Sequence, residues 1–236
     1  MLRDKIKNKK YFEEYVDFEQ IRLEKRKKLI TQVIENRGVD DAVRKALLSI
    51  LNYRINLVNS EYSLGVKNID SIKMAEILAD IKNVSFEHRY IELLWLLSIG
   101  IMLEIEDNDF NQFVELIKKY NPEDYLIDFI LNSRVDWNQK SSKFKFDNPY
   151  KNLEEVIMLA EDDKQKAVER LKQYLDKEWY KGHSDSGWYE GHKSEHNTYS
   201  GYWCWESGAL VKILGLDDTI LKGQQYYPYD MVHWQD

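Results

Sequence analysis

Residues 93–103, LLWLLSIGIML, are the longest apolar run of the chain and are interrupted only by Ser98 and Gly100. A helix of this composition is apolar on nearly all sides, which is typical of a helix at the centre of a core. The run is about half as long as a membrane span, which favours a buried helix over a transmembrane one. We therefore predict a central helix from Phe86 to Ile105, with Ser85 as its N-cap.

The segments on either side of this run also predict helices. Only three prolines occur in 236 residues, and seven of the ten glycines lie beyond residue 181. The first 181 residues therefore contain few helix breakers. Apolar residues recur there at spacings of three and four, as on one face of a helix. The predicted helices run from Asp4 to Arg37, from Asp40 to about Gly65, from Asp70 or Ser71 through Ile81, from the acidic link 104–109 to about Tyr120, over 153–161 and over 164–181.

The dipeptide Asn121-Pro122 is a strong helix-start signal, because Asn is a good N-cap and Pro suits the first helical position. We use it to divide the chain into an N-terminal helical domain, 1–121, and a C-terminal helical domain, 122–236. Residues 136–149 are predicted to form a loop. The predicted fold is all-α, a multi-helix bundle or stacked helical hairpins, with an aromatic- and Gly-rich C-terminal helical segment and the two domains packed as one compact unit.

The segment from Trp179 onward differs in composition from the rest. It holds 12 aromatic residues, four of the five histidines and seven glycines. The pattern over Thr198–Leu214 predicts a buried helix, with Gly208 allowing close approach, and 226–230 is predicted to be an extended tail. The single cysteine, Cys204, excludes an internal disulfide and is typical of a reducing compartment, so we expect a cytoplasmic protein.

The histidines of this segment leave three chemical interpretations. His183, Asp185, His192, Glu195 and His196 could ligate a metal, and His183, Asp185, His192 and His196 could serve a metal-dependent hydrolase. Their spacing matches no established zinc pattern. Acid–base catalysis is possible for His183 or His192 with Asp185, yet no nucleophile elbow or phosphate loop accompanies them. The favoured interpretation is structural, with imidazole and aromatic side chains packed on the preceding helices. We therefore predict no catalytic residue, no metal and no cofactor, and keep the hydrolase as the alternative.

Charge is unevenly distributed along the chain. The formal charge is −7, but residues 1–60 hold 14 Lys/Arg against 9 Asp/Glu, whereas residues 61–236 hold 20 against 32. The acidic part repels phosphates, which disfavours direct nucleic-acid binding and favours a basic protein partner. The basic run RLEKRKK, residues 22–28, is interpreted as a solvated helix face.

The C-terminal segment carries GHSDSGWYEGHK at 182–193, then the pattern Y-x-G-Y-W-x-x-E-x-x-A-L at 199–210, L-D-D at 216–218 and Y-P-x-D at 227–230. This order of motifs resembles that of the PoNi-type immunity proteins of bacterial polymorphic toxin systems. The motif part covers about 40 residues, whereas the N-terminal half agrees in type and length only. We interpret the motif residues as structural: Tyr199, Gly201, Tyr202, Trp203, Glu206, Ala209, Leu210, Asp217, Asp218, Tyr227, Pro228 and Asp230.

The resemblance implies two adjoining helical domains and a cytoplasmic antidote to a cognate nuclease toxin, typically a PoNe-type DNase. It implies a protein partner, with no direct nucleic acid and no membrane, and leaves the oligomeric state open. An acidic surface would occlude the basic active-site groove of such a nuclease. The candidate contact residues are two acidic clusters, Glu104, Glu106, Asp107 and Asp109, and Glu161, Asp162 and Asp163. A helical adaptor without a toxin partner is a further alternative.

Overall fold

The structure is a computed structural model that describes residues 1–66 and 71–235. Within these residues the chain forms eleven α-helices, two short 3-10 helices and no strand, which confirms the all-α prediction. The α-helices are α1 (Lys9–Arg37), α2 (Asp41–Leu64), α3 (Ser71–Ile81), α4 (Tyr90–Met102), α5 (Asp107–Tyr120), α6 (Tyr125–Asn132), α7 (Asn152–Asp162), α8 (Lys164–Lys177), α9 (Trp179–Gly182), α10 (Trp205–Leu214) and α11 (Tyr229–Val232). The 3-10 helices are Gly191–Lys193 and Thr219–Leu221.

The chain divides into two compact units, each built from separated segments. The first unit contains Met1–Arg89, Glu106–Gln112 and Glu190–Tyr202. The second contains Tyr90–Ile105, Phe113–Tyr189 and the chain from Trp203 onward. The division of the chain after residue 121 stays a prediction. None of the helices within 1–66 and 71–235 has the length and apolarity needed to cross a membrane.

In the first unit, the long helix α1 packs on α2. The start of α2 was predicted correctly, because the Asp40 side chain accepts a hydrogen bond from the Val43 amide and satisfies a free N–H of the first turn. The prediction that α1 begins at Asp4 was wrong. The Asp4 carboxylate accepts from the amides of Ile6 and Lys7, at 2.7 Å each, and the helix begins only after Asn8, its N-cap. The alternative start of α3 at Asp70 lies outside the described residues.

In the second unit, α4 packs against α10 and forms the centre of the core. Every residue from Leu93 to Met102 is buried, as the sequence predicts. The helix is shorter than predicted at both ends. At its C terminus Glu104 has φ 50°, and the Ile105 amide donates back to the Gly100 carbonyl at 3.2 Å. This is a C-capping arrangement, in which a left-handed residue is followed by an apolar residue whose amide donates to a carbonyl five positions earlier. It ends the helix before Ile105.

Two side chains from later in the sequence hold the end of α4. The Met102 carbonyl accepts from Lys212 Nζ at 3.0 Å and from Trp234 Nε1 at 2.9 Å. A carbonyl in the last turn of a helix has no partner within that helix, and a nearby cation is favourable for the helix dipole. The C-terminal helices therefore complete the central helix as well as covering it.

Helix α6 does not begin at Asn121-Pro122, so that start signal was wrong. Asn121 and Glu123 both have positive φ values, 46° and 49°, which is not compatible with an α-helix. Asp124 is the N-cap instead. Its buried carboxylate accepts from the amides of Ile127 and Lys145, at 2.9 and 2.7 Å, and from Tyr90 Oη at 3.0 Å.

The predicted helix over Thr198–Leu214 and the predicted extended tail were also wrong in detail. Gly201 has φ 114°, where only glycine is relaxed. The Cys204 amide donates to the Tyr226 carbonyl at 2.9 Å. The backbone from 198 to 204 is therefore non-helical, and α10 starts at Trp205. Part of the tail forms the short helix α11. The predicted loop over 136–149 does lack helix and strand.

Candidate functional site

Trp203 and the motif residues of α10 lie in the interior of the second unit. Trp203, Glu206, Ala209 and Leu210 are all buried. Glu206 Oε1 accepts from Trp179 Nε1 at 2.7 Å and from the Cys204 thiol at 3.2 Å. Its other oxygen, Oε2, is buried and has no hydrogen-bond partner among the described residues. Burial raises the pKa of Glu206 to about 7, because desolvation disfavours the charged carboxylate.

Gly208 explains why α10 can approach its neighbours closely, as predicted. A Cβ at this position would overlap the Met102 sulfur and lie 2.9 Å from Pro228 Cγ and 3.1 Å from Val232 Cγ2. These distances are shorter than van der Waals contact, so packing requires the absence of a side chain. The motif residue Pro228 thus packs on a glycine that the motif itself leaves unspecified.

The L-D-D and Y-P-x-D motifs meet at Asp218. This buried carboxylate accepts from Tyr227 Oη at 2.6 Å, and His233 Nε2 lies 2.9 Å from its other oxygen. Asp217 is exposed and accepts from the amide and hydroxyl of Thr219, which begins the 3-10 helix. Asp230 is exposed in α11.

The first part of the motif, Tyr199 to Tyr202, belongs to the first unit. The Tyr199 hydroxyl donates to Asp4, and the Tyr11 hydroxyl donates to the Tyr199 carbonyl at 2.8 Å. Tyr202 Oη accepts from the His192 amide at 3.2 Å and lies 3.0 Å from His192 Nδ1. The contacts of Tyr199 join residues 195 and 188 positions apart in sequence. They support the structural interpretation of the motif, which stays a prediction.

The histidine segment does not come together as a site. His183 is buried, with Nδ1 2.7 Å from the Trp179 carbonyl and Nε2 2.9 Å from Tyr150 Oη. Because a carbonyl only accepts, Nδ1 carries the proton and Nε2 accepts from tyrosine. Burial lowers the pKa of His183 to about 4, so the ring is neutral at physiological pH. Asp185 and His196 are exposed. Within residues 1–66 and 71–235, no three His, Cys, Asp or Glu side chains are placed to hold a metal ion.

Cys204 is buried with its thiol against Glu206. Burial, followed by the charge of Glu206, raises the pKa of Cys204 well above its ordinary value. Reactive cysteines are thiolates in accessible, electropositive surroundings. The position of Cys204 therefore favours packing over reactivity.

The acidic clusters contain carboxylates of two kinds. Glu104 pairs with Lys212 at 2.8 Å, and the hydrogen bond from Lys212 is the main reason that its pKa is lowered. Asp163 caps α8 by accepting from the Lys166 amide at 3.1 Å, which lowers its pKa. Asp109 accepts from Gln112 Nε2 at 3.0 Å. These three carboxylates already have structural partners.

The remaining members of the clusters are exposed. They are Glu106, Asp107, Glu161 and Asp162. For Glu106, Glu161 and Asp162, no Lys, Arg or His nitrogen of the described chain lies within ion-pair distance. A partner cation could bind these carboxylates without breaking an internal ion pair. The internal contacts thus reduce the candidate contact residues, which were predicted from charge alone, to the exposed members of the two clusters.

Comparison with protein families accounts for both halves of the chain. Residues 3–115 match the model of the PoNe immunity protein (PoNi), N-terminal, and residues 122–231 match that of PoNe immunity proteins (PoNi), C-terminal. The chain belongs to the PoNi family. The resemblance seen in the C-terminal motifs is thereby confirmed and extends to the N-terminal half, where the residues themselves gave little signal.

Among solved structures, this PoNi chain is similar to protein PA2201 from Pseudomonas aeruginosa. The two share 13% sequence identity with a TM-score of 0.62, and the likeness covers 99% of this chain and 98% of the other. At this identity the likeness concerns the fold alone. A comparison with curated proteins finds no match.

Sequence reasoning missed two buried carboxylates that organise the PoNi C-terminal half. Asp124 holds the start of α6, and Asp128 accepts from Trp137 Nε1 and the Ser141 amide at 2.7 Å each. Together they fix the loop over 136–149. Their signal in sequence was weak, because acidic residues in a first helical turn are common for reasons of the helix dipole.

Proposed function

We propose that this PoNi protein neutralises a cognate nuclease toxin of the DNase type by covering its DNA-binding groove with an acidic surface. Membership of the family, carried by matches over both halves of the chain, is the observation on which the proposal depends. The family is one of immunity proteins, so toxin neutralisation follows from it directly. The nuclease activity of the target and the mode of occlusion are our inference.

Electrostatics supports an acidic contact surface. A DNase must present Lys and Arg side chains to phosphates, and residues 61–236 of this chain carry a large excess of Asp and Glu. The exposed carboxylates Glu106, Glu161 and Asp162 compete for the same cations without losing an internal partner. Complementary charge also accelerates encounter, which matters for an antidote that must act before the chromosome is cut.

We infer that the protein acts by binding, without catalysis, metal or cofactor, and in the cytoplasm, where the toxin would reach the chromosome. Its neutralising contact does not need the buried motif residues, because these are occupied within each unit. The two acidic clusters, Glu104 with Glu106, Asp107 and Asp109, and Glu161 with Asp162 and Asp163, remain the candidate contact residues. Within them, the exposed members are the best candidates.

The direct test is a titration of the purified cognate toxin domain with this protein, with plasmid cleavage as the readout. We expect cleavage to fall in proportion to added protein and to reach zero near one to one. Undiminished cleavage, with no complex on a sizing column, would refute the proposal for that toxin.

Charge-reversal variants locate the surface. We expect Glu161→Lys with Asp162→Lys, or Glu106→Lys with Asp107→Lys, to abolish inhibition. The control is Glu35→Lys with Glu195→Lys, which makes the same change in net charge at exposed residues outside the clusters. If every pair inhibits as well as wild type, the acidic clusters are not the contact surface. If the control pair loses inhibition equally, net charge and not a specific surface is responsible.

A further inference from the structure

The outer side of α1 carries three large apolar side chains. Phe18, Ile21 and Leu29 are 49%, 54% and 56% exposed. Single exposed apolar residues are ordinary on protein surfaces, but positions 18, 21, 25 and 29 follow one another at spacings of three and four and so form one stripe. The stripe spans about 16 Å at the helical rise per residue. We call Phe18, Ile21, Lys25 and Leu29 the α1 face.

This stripe is separate from the one that packs in the first unit. The buried residues of α1 are Phe12, Tyr15, Val16, Glu19, Leu23 and Ile30. A surface helix of a globular protein normally has one apolar stripe toward the core and a polar side toward water. Helix α1 has a second apolar stripe on its outer side. Exposed apolar side chains that share one face of a helix are a candidate interaction site.

Arg22 orders one end of the α1 face. Its guanidinium lies 5.1 Å from the centre of the Phe18 ring and 4.6 Å from that of Tyr53, and it pairs with the buried Glu19 at 2.5 Å. A cation held over an aromatic face restricts the ring. Phe18 is therefore presented in a fixed orientation, which lowers the entropy lost on binding.

The charge on the α1 face is positive. Lys25 lies between Ile21 and Leu29 and forms no ion pair with the described chain, and the exposed Lys28 adds to the positive charge on one side. An isologous dimer through this face would bring the two Lys25 side chains together. The charge therefore favours a partner with carboxylates around an apolar groove, and disfavours a second copy of this chain.

We infer that the α1 face docks in an acid-rimmed apolar groove of the toxin, apart from the groove in which the toxin binds DNA. This inference rests on the proposed function. The DNA-binding groove of a nuclease is basic and does not suit Lys25, so the contact must be elsewhere on the toxin. A helix with anchors on one stripe lying in a groove is a common recognition mode. The α1 face supplies affinity, while the acidic clusters block DNA.

The test measures the dissociation constant for the catalytically inactive toxin domain. We expect Ile21→Asp and Leu29→Asp each to weaken binding by at least about tenfold, as loss of a buried apolar anchor does. Lys25→Glu should weaken it strongly at low salt and less at high salt. The control is Ile220→Asp, which places the same charge at an apolar residue that is 43% exposed in the second unit, and it should bind within about twofold of wild type. At saturating concentration the α1 variants should still stop plasmid cleavage.

Thermal melting checks that the variants are folded, and Lys25→Glu serves if an Asp variant is not, because it exchanges one exposed charge for another. If all α1 variants bind the toxin as tightly as wild type does, the inference is overturned. The proposed function still stands in that case, provided that wild type inhibits the toxin. Failure of wild type itself to bind the toxin would overturn both. Ile21→Asp could instead abolish a dimer, or an association with anionic vesicles, and leave the affinity for the toxin unchanged. That result would assign the α1 face to another partner and overturn the inference.

Discussion

The motif segment 199–210 and the acidic clusters are opposite in character. Glu206, Ala209 and Leu210 are buried and held by neighbours, whereas Glu161 and Asp162 are exposed and unpaired within the described chain. The motif is recognisable because the residue at each of its positions packs on, or forms a hydrogen bond with, a particular neighbour in the fold. For the exposed residues of the clusters only the negative charge is required, and many different sequences provide it. What identifies this family is therefore the way it folds, whereas the residues that we propose to contact the partner lie outside the motif.

This difference predicts that substitutions in the motif segment will change stability, whereas substitutions of the exposed cluster residues Glu161 and Asp162 will change binding alone. The largest effect should come from Gly208→Ala. The added methyl group overlaps Met102 and presses on the rigid ring of Pro228, and overpacking of this kind costs up to about 3 kcal/mol. Urea unfolding measures the free energy. Gly187→Ala is the control, since no atom lies within 4 Å of its Cβ; equal stability of the two variants would contradict the described packing.

The next effect is the pH dependence that Glu206 confers. Burial raises the pKa of this carboxyl from 4.5 to about 7, so the native state binds a proton more tightly than the unfolded state. Stability is then greatest below pH 4.5 and falls as pH rises through 7. In Glu206→Gln this contribution is absent.

We expect the unfolding free energy of Glu206→Gln, relative to wild type, to increase by about 2 kcal/mol between pH 5 and pH 8, given 1.36 kcal/mol per pKa unit. Denaturant titrations at several pH values measure it, with Glu195→Gln as an exposed control. A constant difference across this range would show that Glu206 is not buried as described.

In the first unit the corresponding test is Tyr199→Phe. The variant removes the hydroxyl that donates to Asp4 and leaves a buried carboxylate oxygen without that partner, at a cost of about 1–2 kcal/mol. Tyr189→Phe makes the same chemical change at a hydroxyl that has no hydrogen-bond partner within residues 1–66 and 71–235 and should be near neutral. Thermal melting compares them. Equal melting temperatures would remove the structural reason for Tyr199 in the motif.

The smallest effect on stability is expected in the acidic cluster. Glu161→Lys with Asp162→Lys should change the unfolding free energy by no more than about 0.5 kcal/mol, as is usual for exposed positions. The same protein should have lost inhibition of the toxin. A variant that unfolds instead would break the distinction between folding residues and binding residues.

Local signals in the sequence predicted helices where the cap and its target are close in the chain. Asp40 begins α2, and the bounds of α5, α7 and α8 fall near the predicted ones, because capping and apolar spacing act within a few residues. The predicted start of α6 was wrong for the opposite reason, because its true cap depends on residues that are distant in sequence. Asp124 owes its position to the Lys145 amide and the Tyr90 hydroxyl, neither of which lies near it in sequence.

The same limit applies to the candidate site. The charges in the sequence located the acidic clusters, but ion pairs and helix caps within the fold decide which of their carboxylates are available to a partner. Glu104 is engaged by Lys212, 108 positions later, and Asp163 is used as a cap. The exposed apolar residues of α1 lie on either side of the basic run 22–28, which looks like any solvated helix face. Only burial distinguishes Ile21 and Leu29 from the apolar residues that pack inward.

The carbonyl of Met102, held by Lys212 and Trp234, also has a consequence for synthesis. Helix α4 is complete 112 residues before the end of its packing partner α10 and 132 residues before its terminal partner Trp234. At about 5–20 residues per second, this most apolar helix waits roughly ten seconds on the ribosome without the neighbours that cover it. Each new copy of the protein is therefore complete only after this interval, and protection during it depends on copies that were made earlier.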